Sequence, residues 1–421
     1  MRYGWRLLPE WGRRQLFEAV SRLSPALDDA PSDIVLDRSV PRIVVGFLSS
    51  PSGLGQSARL AARALAGCGY EVSGIDLSRY FYEQADVVGF ALGDGRSVSG
   101  PAHVIAVINA PYMPYALALL GRSFLEHKHV TGYWAWELTR VPSSWRKGLQ
   151  TVHELAAPSA FVAQAIRSLA PARAVRVAPH PVALDGLPPS FHARGSRRPD
   201  QPFTVLGTLS VGSGFVRKNP LAWIEAFKLA FGRRQDCRLR LLVTNAEHFA
   251  PARGAIEKAV DGATNIETRW IAADRDEYLR WCGTPDACLS LHRSEGFGLP
   301  LAEAMCAGYP VVATGWSGNM QFMTPKNSFP VAYRLVEVSD AQAKYPSDLG
   351  SWAEPDVEQA AGILQELEGH PDKARAVAIE AAQSLRVMLS GESFCRALLG
   401  PPRCQPGQQR TPATSPHPFG E

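Results

Sequence analysis

The chain has 421 residues, 46% apolar and 20% charged, more than one hydrophobic core usually organises, which predicts two folded units. A net charge of +4 is too small to argue for nucleic acid, and no basic-aromatic stripe supports such a partner. Seven cysteines, at 68, 237, 282, 288, 306, 395 and 404, are odd in number and contain no Cys-x-x-Cys pair; they predict reduced core residues of a cytoplasmic protein and argue against a disulfide framework or a metal site.

Residues 1–40 open with arginines at 2, 6, 13, 14 and 22 among Trp5, Leu7, Leu8, Trp11, Leu16 and Phe17. The segment lacks the apolar core of a signal peptide, and no run of about 18 apolar residues anywhere in the chain could span a bilayer. Two readings stand: an amphipathic helix packed on the first unit, which is preferred, or one resting on the inner face of an anionic membrane. From 41 to 182 strands alternate with helices. Arg42–Leu48 reads as a strand, Ser57–Cys68 as a helix and Glu71–Leu77 as a second strand. His103–Ile108 and His129–Trp134 read as further strands, and a helix over Phe161–Leu169 precedes a strand at Arg176–Ala178.

Residues 183–202, rich in Pro, Gly, Arg and Asp without apolar periodicity, read as a linker. The alternation resumes over 203–370: strand Phe203–Leu209, helix Asn219–Phe231, strand Arg238–Thr244, a helix that includes Ile256–Val260, then Asp276–Cys282 and a buried strand from Ala287 to Leu291. Pro300 is expected at the first position of a short helix that Gly308 and Pro310 stop, before a strand at Val311-Val312-Ala313. Val357–Glu368 and Asp372–Leu389 read as helices, with 371–399 the last helical segment. Residues 400–421, with six prolines after Gly400, are expected to be disordered. The expected fold class is α/β: two Rossmann-like doubly wound domains facing each other across a cleft at the carboxyl ends of their strands.

Several motifs fall at those strand ends. Ser52-Gly53-Leu54-Gly55-Gln56-Ser57-Ala58 contains Gly-x-Gly-x-x-Ala with Asp76 about twenty residues on, the pattern of a dinucleotide fingerprint. That fingerprint's glycine follows the strand almost at once, whereas Ser49-Ser50-Pro51-Ser52 intervenes here, so a longer ligand loop at Gly53 and Gly55 is preferred to NAD. Gly132 to Leu138, GYWAWEL, places Trp136 beside Glu137, a ring and an acid suited to sugars; a buried aromatic core with Glu137 at a helix start competes. His180 is expected to be structural. In Ser210–Pro220, SVGSGFVRKNP, Arg217 and Lys218 follow Gly212 and Gly214, so both cations can turn to the cleft as a planar fork and a point charge for phosphate.

Ser294–Ala304, SEGFGLPLAEA, puts Glu295 in a Gly-rich loop and Glu303 about one turn into the helix that it opens. The helix start and its dipole suit an anion, and Gly296 and Gly298 let a ligand approach the backbone. Carboxylates are poor phosphate ligands but good acceptors for sugar hydroxyls, so phosphate on the amides and hydroxyls on the acids describe a nucleotide sugar. His292, just before, is expected to orient the loop. Trp316-Ser317-Gly318-Asn319 points to the cleft by topology, with Asn319 expected to touch sugar or base.

The pair Glu295 and Glu303, within SLHRSEGFGLPLAEAM and followed by ATGWSGN, resembles the E-x7-E signature of retaining glycosyltransferases of family 4, which have the GT-B fold. GLGQSAR, GYWAWEL and RKNP fit the same family, and the resemblance covers roughly Pro41 to Arg386. It implies front-face transfer of a sugar, with retention, from a nucleotide-sugar donor to a hydroxyl of a saccharide or lipid-linked saccharide, in polysaccharide or glycoconjugate synthesis. It implies Glu303 on the ribose, Glu295 on the donor sugar, the backbone of Gly296, Phe297, Gly298 and Leu299 on sugar and phosphate, and Arg217 with Lys218 on the diphosphate. Glu295, Arg217 and Lys218 are then the catalytic residues. Gly53 and Gly55 would lie near donor phosphates and acceptor, and a final helix would cross back to the first domain. Many members carry a His or His-Asp near GYWAWEL; Trp136 and Glu137 stand there instead, and Glu137 is expected to replace the acid. No metal and no cofactor beyond the nucleotide-sugar co-substrate is expected, since no carboxylate cluster offers a metal site and the Arg-Lys pair can neutralise the diphosphate. Two other classes stay open: an NAD-binding Rossmann oxidoreductase, and a non-catalytic nucleotide-sugar-binding subunit.

Overall fold

A computed structural model describes residues 19–25, 27, 34, 36–81, 90, 92–182, 201–271 and 281–400. The basic N-terminal stretch through residue 18, nearly all of the linker, most of Asp276–Cys282 and the proline-rich tail after Gly400 lie outside them.

The first half is a seven-stranded parallel sheet, formed by β1 (Arg42–Gly46), β2 (Val72–Asp76), β3 (Gly93–Asp94), β4 (Ala102–Val107), β5 (Lys128–Tyr133), β6 (Glu154–Ala157) and β7 (Val175–Val177) in the order β3-β2-β1-β4-β5-β6-β7. Every residue of β1, β4 and β5 is buried, as expected where helices cover both faces of a parallel sheet. Helix α1 (Gly53–Gly67) crosses from β1 to β2, α2 (Met113–Leu120) lies between β4 and β5, and α3 (Ala160–Arg167) between β6 and β7. The expected strands and helices of this half are present with ends shifted by a few residues; α1 starts four residues earlier than expected, at Gly53.

The second half repeats the plan with six parallel strands. They are β8 (Phe203–Ser210), β9 (Cys237–Thr244), β10 (Ile266–Ile271), β11 (Ala287–Ser290), β12 (Val311–Thr314) and β13 (Phe329–Val331), in the order β10-β9-β8-β11-β12-β13. Helices α4 (Pro220–Phe231), α5 (Pro251–Val260) and α6 (Leu299–Cys306) make crossovers. An antiparallel hairpin of β14 (Tyr333–Glu337) and β15 (Ser351–Pro355) follows, with no counterpart in the sequence reading. In both halves the strand order reverses beside the first strand, between β1 and β4 and between β8 and β11. At such a switch point the loops diverge and leave a crevice at the carboxyl ends.

Three helices close the described residues: α7 (Val357–Gly369), α8 (Pro371–Met388) and α9 (Gly391–Leu399). The segment 371–399, expected as one crossing helix, divides at Leu389. Ala381 and Leu385 of α8 pack with Leu301 and Met305 of α6, whereas Phe394 and Leu398 of α9 join Ala58, Leu65 and Tyr133 in the core of the first half. Ser390 starts the new helix by accepting from Ser393 N, a side-chain cap that satisfies a first-turn donor. The crossing element is therefore α9 alone. Among the described residues no helix is long and apolar enough to cross a membrane.

Candidate functional site

Two loops at the carboxyl end of the second sheet build the site. After β8 the chain makes a tight turn over Val211–Ser213, Gly214 follows with φ 104°, and Phe215–Lys218 adds one helical turn. Asn219, in the left-handed region, ends that turn, and Pro220 begins α4. After β11 the loop runs to Gly298, whose φ of 91° sets the start of α6; Leu299 is the first helical residue and Pro300 the second, one place later than expected.

These loops bring together charges 77 and 78 residues apart in sequence. Lys218 Nζ lies 2.5 Å from Glu295 Oε1, and Arg217 Nη1 lies 3.4 Å from Glu295 Oε2. Burial alone would raise the Glu295 carboxyl, but Lys218, Arg217 and His292 outweigh it and hold it at about 2, so it is ionised at neutral pH. Burial pulls Lys218 below the ordinary lysine value, with Glu295 opposing. A pocket opens beside the pair, lined by Lys218, Glu295, Gly298 and Glu303 over an apolar floor that includes Leu206 and Leu301. A few convergent polar groups on an apolar wall are typical of small-molecule sites. No side chain caps the first turn of α6, which borders the cavity through Gly298, Pro300 and Leu301.

Arg217 is placed differently from its expected role. Only 2% exposed, it donates from Nη1 to Ser294 O at 2.5 Å and from Nη2 and Nε to Ser213 O at 2.7 and 3.2 Å. A guanidinium has five N–H donors, and backbone carbonyls of two loops take most of them. It braces the cation turn against the Glu295 loop, and Lys218 is the cation at the cavity wall.

Gly296 also serves another purpose than ligand approach. A Cβ there would lie 3.0 Å from Trp136 O, and Ser159 Oγ donates to Gly296 O at 2.7 Å. Its missing side chain lets the two halves meet. Phe297 is buried, with ring centroids 5.1 Å from His180 and 4.9 Å from Phe322, and Leu299 packs on the core of the second half; neither side chain lines the cavity. Asn319, expected to touch ligand, is fully buried. Its Nδ2 donates to Thr314 O at 2.9 Å and its Oδ1 lies 3.0 Å from His292 Nε2. Ser290 Oγ lies 3.0 Å from His292 Nδ1, so His292, its basicity lowered by burial, ties β11 to the Asn319 turn. It orients the loop as expected, and Asn319 is its support.

Sequence reading missed Ser317. Its backbone sits at φ 79°, ψ −147°, a region that favours glycine. Its Oγ accepts from Glu295 N at 2.8 Å and donates to Trp316 O at 2.5 Å. Gly318 completes the clamp: its N–H donates to Glu295 O at 2.8 Å, and a Cβ would fall 2.0 Å from Gly296 O. The Trp-Ser-Gly-Asn motif drew attention to this place, but backbone strain at a serine has no sequence signature.

In the first half, Gly53 opens α1 with clear space around it, whereas a Cβ on Gly55 would lie 2.2 Å from Ser50 O. Gly55 serves its own turn. Asp76, which a dinucleotide fingerprint would assign to a ribose, accepts from the hydroxyls of Ser49 and Ser78, each at 2.5 Å. Trp136 donates from Nε1 to Arg140 O at 2.8 Å and its ring packs 5.4 Å from Trp145 and 5.7 Å from Tyr345. Glu137 is not at a helix start; it lies in the loop after β5, and its charge favours the charged forms of Arg217 and Lys218 across the cleft. His180 is buried between the halves, 3.2 Å from Ser57 Oγ and 3.0 Å from Tyr133 OH, and burial lowers it to about 3.

The family described as "Family 4 Glycosyltransferase in conflict systems" matches residues 162–398, more than half of the chain. No match was found among curated proteins. Solved structures share the fold. A glycosyltransferase from Rickettsia africae ESF-5 superposes with a TM-score of 0.59 at 15% identity, covering 85% of this chain and 96% of that one. HepE of Anabaena, in complex with UDP-glucose, gives 0.57 at 13%, covering 85% and 98%. A mutant of TarM from S. aureus, in complex with fondaparinux, alpha-GlcNAc-glycerol and UDP, gives 0.52 at 13%, covering 71% of this chain and 55% of TarM. This chain thus spans little more than half of the TarM length. At such identities the likeness is one of fold: two facing parallel-sheet halves in the GT-B arrangement.

Proposed function

The chain belongs to the family 4 glycosyltransferases of conflict systems, and from that premise we propose that it transfers a sugar, with retention of configuration, from a nucleotide-sugar donor to an acceptor hydroxyl. The observation that carries the reading is the Lys218–Glu295 pair at the wall of a cavity that Glu303 also lines. On this reading the nucleoside enters the cavity with its ribose hydroxyls on Glu303, and the diphosphate lies against Lys218 and the uncapped start of α6. Glu295, ionised and anchored by Ser317, accepts hydroxyls of the donor sugar.

In the transfer step the bond between the anomeric carbon and the β-phosphate oxygen breaks. The acceptor oxygen bonds to that carbon from the same face, and its proton passes to the departing phosphate. Charge grows on the diphosphate as it leaves, and Lys218, with the Arg217 charge behind it, stabilises that change more than it stabilises the bound donor. Such cations can stand in for a metal at the diphosphate. Among the described residues the grouping of His, Cys, Asp or Glu close enough to share an ion is Asp236, Cys237 and Glu368, at the start of β9 and hence the opposite end of the strands from the cavity.

HepE and TarM were captured with uridine nucleotides, so UDP-sugars are the first donors to test. A thermal-shift screen of UDP-, GDP- and ADP-sugars, followed by detection of the released nucleoside diphosphate, tests the reading. Stabilisation by one donor class and turnover with a saccharide or lipid-linked saccharide acceptor are expected. Stabilisation by NAD alone would contradict it, and Asp76 is already committed to Ser49 and Ser78.

A further inference from the structure

The loop between β14 and β15, residues 338–350, lies over the cation turn of the second half and reaches the first half. On the near side, Gln342 Oε1 accepts from Phe215 N at 2.5 Å, Gln342 Nε2 donates to Val211 O at 3.3 Å, and Lys344 Nζ donates to Gly212 O. On the far side, Arg140 N donates to Leu349 O at 3.0 Å, and the Arg140 guanidinium donates to Asp348 O. Gly350, at φ 145°, packs so closely on Thr139 that a Cβ would lie 2.4 Å from its Oγ1 and 3.1 Å from its backbone nitrogen.

Tyr345 stands between these anchors. Its ring centroid lies 5.8 Å from Arg217 Cζ, 5.7 Å from the Trp136 ring and 6.0 Å from the Trp352 ring. Leu138 of the first half, Val338 and Trp352 form a small buried core beside it, with Val216 of the cation turn packed against that core.

We propose that residues 338–350 form a strap coupling the approach of the two halves to the placement of Arg217, and that Tyr345 is the positioning residue for this guanidinium in the transfer reaction. The purpose of the contact rests on the glycosyltransferase reading; the contact itself does not. Arg217 ties the turn carrying Lys218 to the loop carrying Glu295. The Tyr345 hydroxyl accepts a hydrogen bond from the Arg217 guanidinium, which also lies beside the ring, so Tyr345 fixes the plane of that tie. The ring is itself held against Trp136 of the first half. Opening the halves would therefore loosen the tie, and the cations would be aligned only when both halves meet. Misalignment weakens an interaction made chiefly in the transition state, which lowers kcat more than donor affinity.

The test is steady-state transfer, with the donor chosen by the screen, for Tyr345→Ala, Tyr345→Phe, Arg217→Ala and the Tyr345→Ala/Arg217→Ala double variant. Tyr345→Ala is expected to lower kcat about tenfold with donor KM within about twofold. Tyr345→Phe keeps the ring but loses the hydroxyl that accepts from Arg217, and should recover the rate only in part. Adding Tyr345→Ala to Arg217→Ala should cost less than about twofold more, because one residue acts through the other. Losses that multiply in the double variant, or wild-type kcat in Tyr345→Ala, would overturn the proposal. Gly350→Val attacks the strap at its other end without touching Arg217 and should reproduce the kcat loss; an unchanged kcat there overturns the coupling between halves. If these variants are unstable, urea midpoints of the same Tyr345/Arg217 set report the contact directly, and additive midpoints would sink it. Failure of the glycosyltransferase reading looks different: the wild type would bind none of UDP, GDP or ADP, while the coupling on unfolding would remain.

Discussion

At the scale of residues, the site is a set of charges whose partners are chosen for them by the backbone. Lys218 faces the cavity while Arg217, its neighbour, is turned into protein carbonyls, so the two cations are expected to respond differently to substitution. Lys218→Ala removes charge at the diphosphate and should lower kcat with the fold intact. Arg217→Lys keeps the charge but abandons the carbonyls of Ser213 and Ser294 that a fork reaches, and should lower the urea midpoint as well. Steady-state rates and urea melts on both variants check this; a Lys218→Ala enzyme with wild-type kcat would remove that residue from the chemistry. Ser317 offers a second contrast. Ser317→Gly relieves a backbone conformation costing of order 1–3 kcal/mol and loses two hydrogen bonds, from Glu295 N and to Trp316 O, worth about 1 kcal/mol each. Stability should therefore change little while transfer falls, because Glu295 loses its anchor. A variant that is both less stable and fully active would contradict that assignment.

At the scale of elements, what the sequence showed and what it hid follow from burial. β1, β4 and β8 are covered on both faces or nearly so, which writes continuous apolar runs that read plainly as strands. β6 has only four residues and begins with Glu154; β10 is an edge strand with mixed burial; the β14–β15 hairpin carries exposed Tyr333 and Leu335. None of these leaves a periodic signal, and the aperiodic strap between β14 and β15 leaves none either. Glu295 and Glu303 were readable because one short loop and one helix hold both, whereas the Lys218–Glu295 contact joins the loop after β8 to the loop after β11, three strands on. That Arg217 is a brace depends on Ser213 and Ser294, which local pattern cannot pair with it.

The strand starts of the first half also carry a histidine row. His103 meets His129 edge to face at 5.2 Å, and His129 stacks on His153 at 5.1 Å. Burial is the main cause that lowers His103 well below its ordinary value and His153 to about 4, with His129 and nearby arginines adding to it and Glu154 opposing. Histidine in the unfolded chain titrates near 6.5. Between about pH 6.5 and 4 the unfolded chain therefore takes up protons that the folded one refuses, and stability falls as pH falls. Urea midpoints measured between pH 7.5 and 4.5 should decline across that window. A flat profile would show that the row is solvated.

At the scale of the molecule, each half is a doubly wound sheet, and the site needs both. Gly296 meets Trp136, Ser159 holds Gly296 O, His180 packs on Phe297, and α9 crosses back to seal the first half. On the proposed reading Lys218, with the Arg217 charge behind it, supplies the positive charge that a metal would bring to the diphosphate, so transfer in saturating EDTA should match the untreated rate; loss of rate restored by manganese would contradict this. The central claim is that the cavity beside Lys218 holds a nucleotide through Glu303. Calorimetric binding of the nucleoside diphosphate selected by the donor screen, to wild type and to Glu303→Ala, tests it most directly. Binding by the wild type and a loss of about 1–3 kcal/mol in Glu303→Ala are expected, the cost of leaving buried hydroxyls without their acceptor; equal dissociation constants in the two proteins would contradict the account.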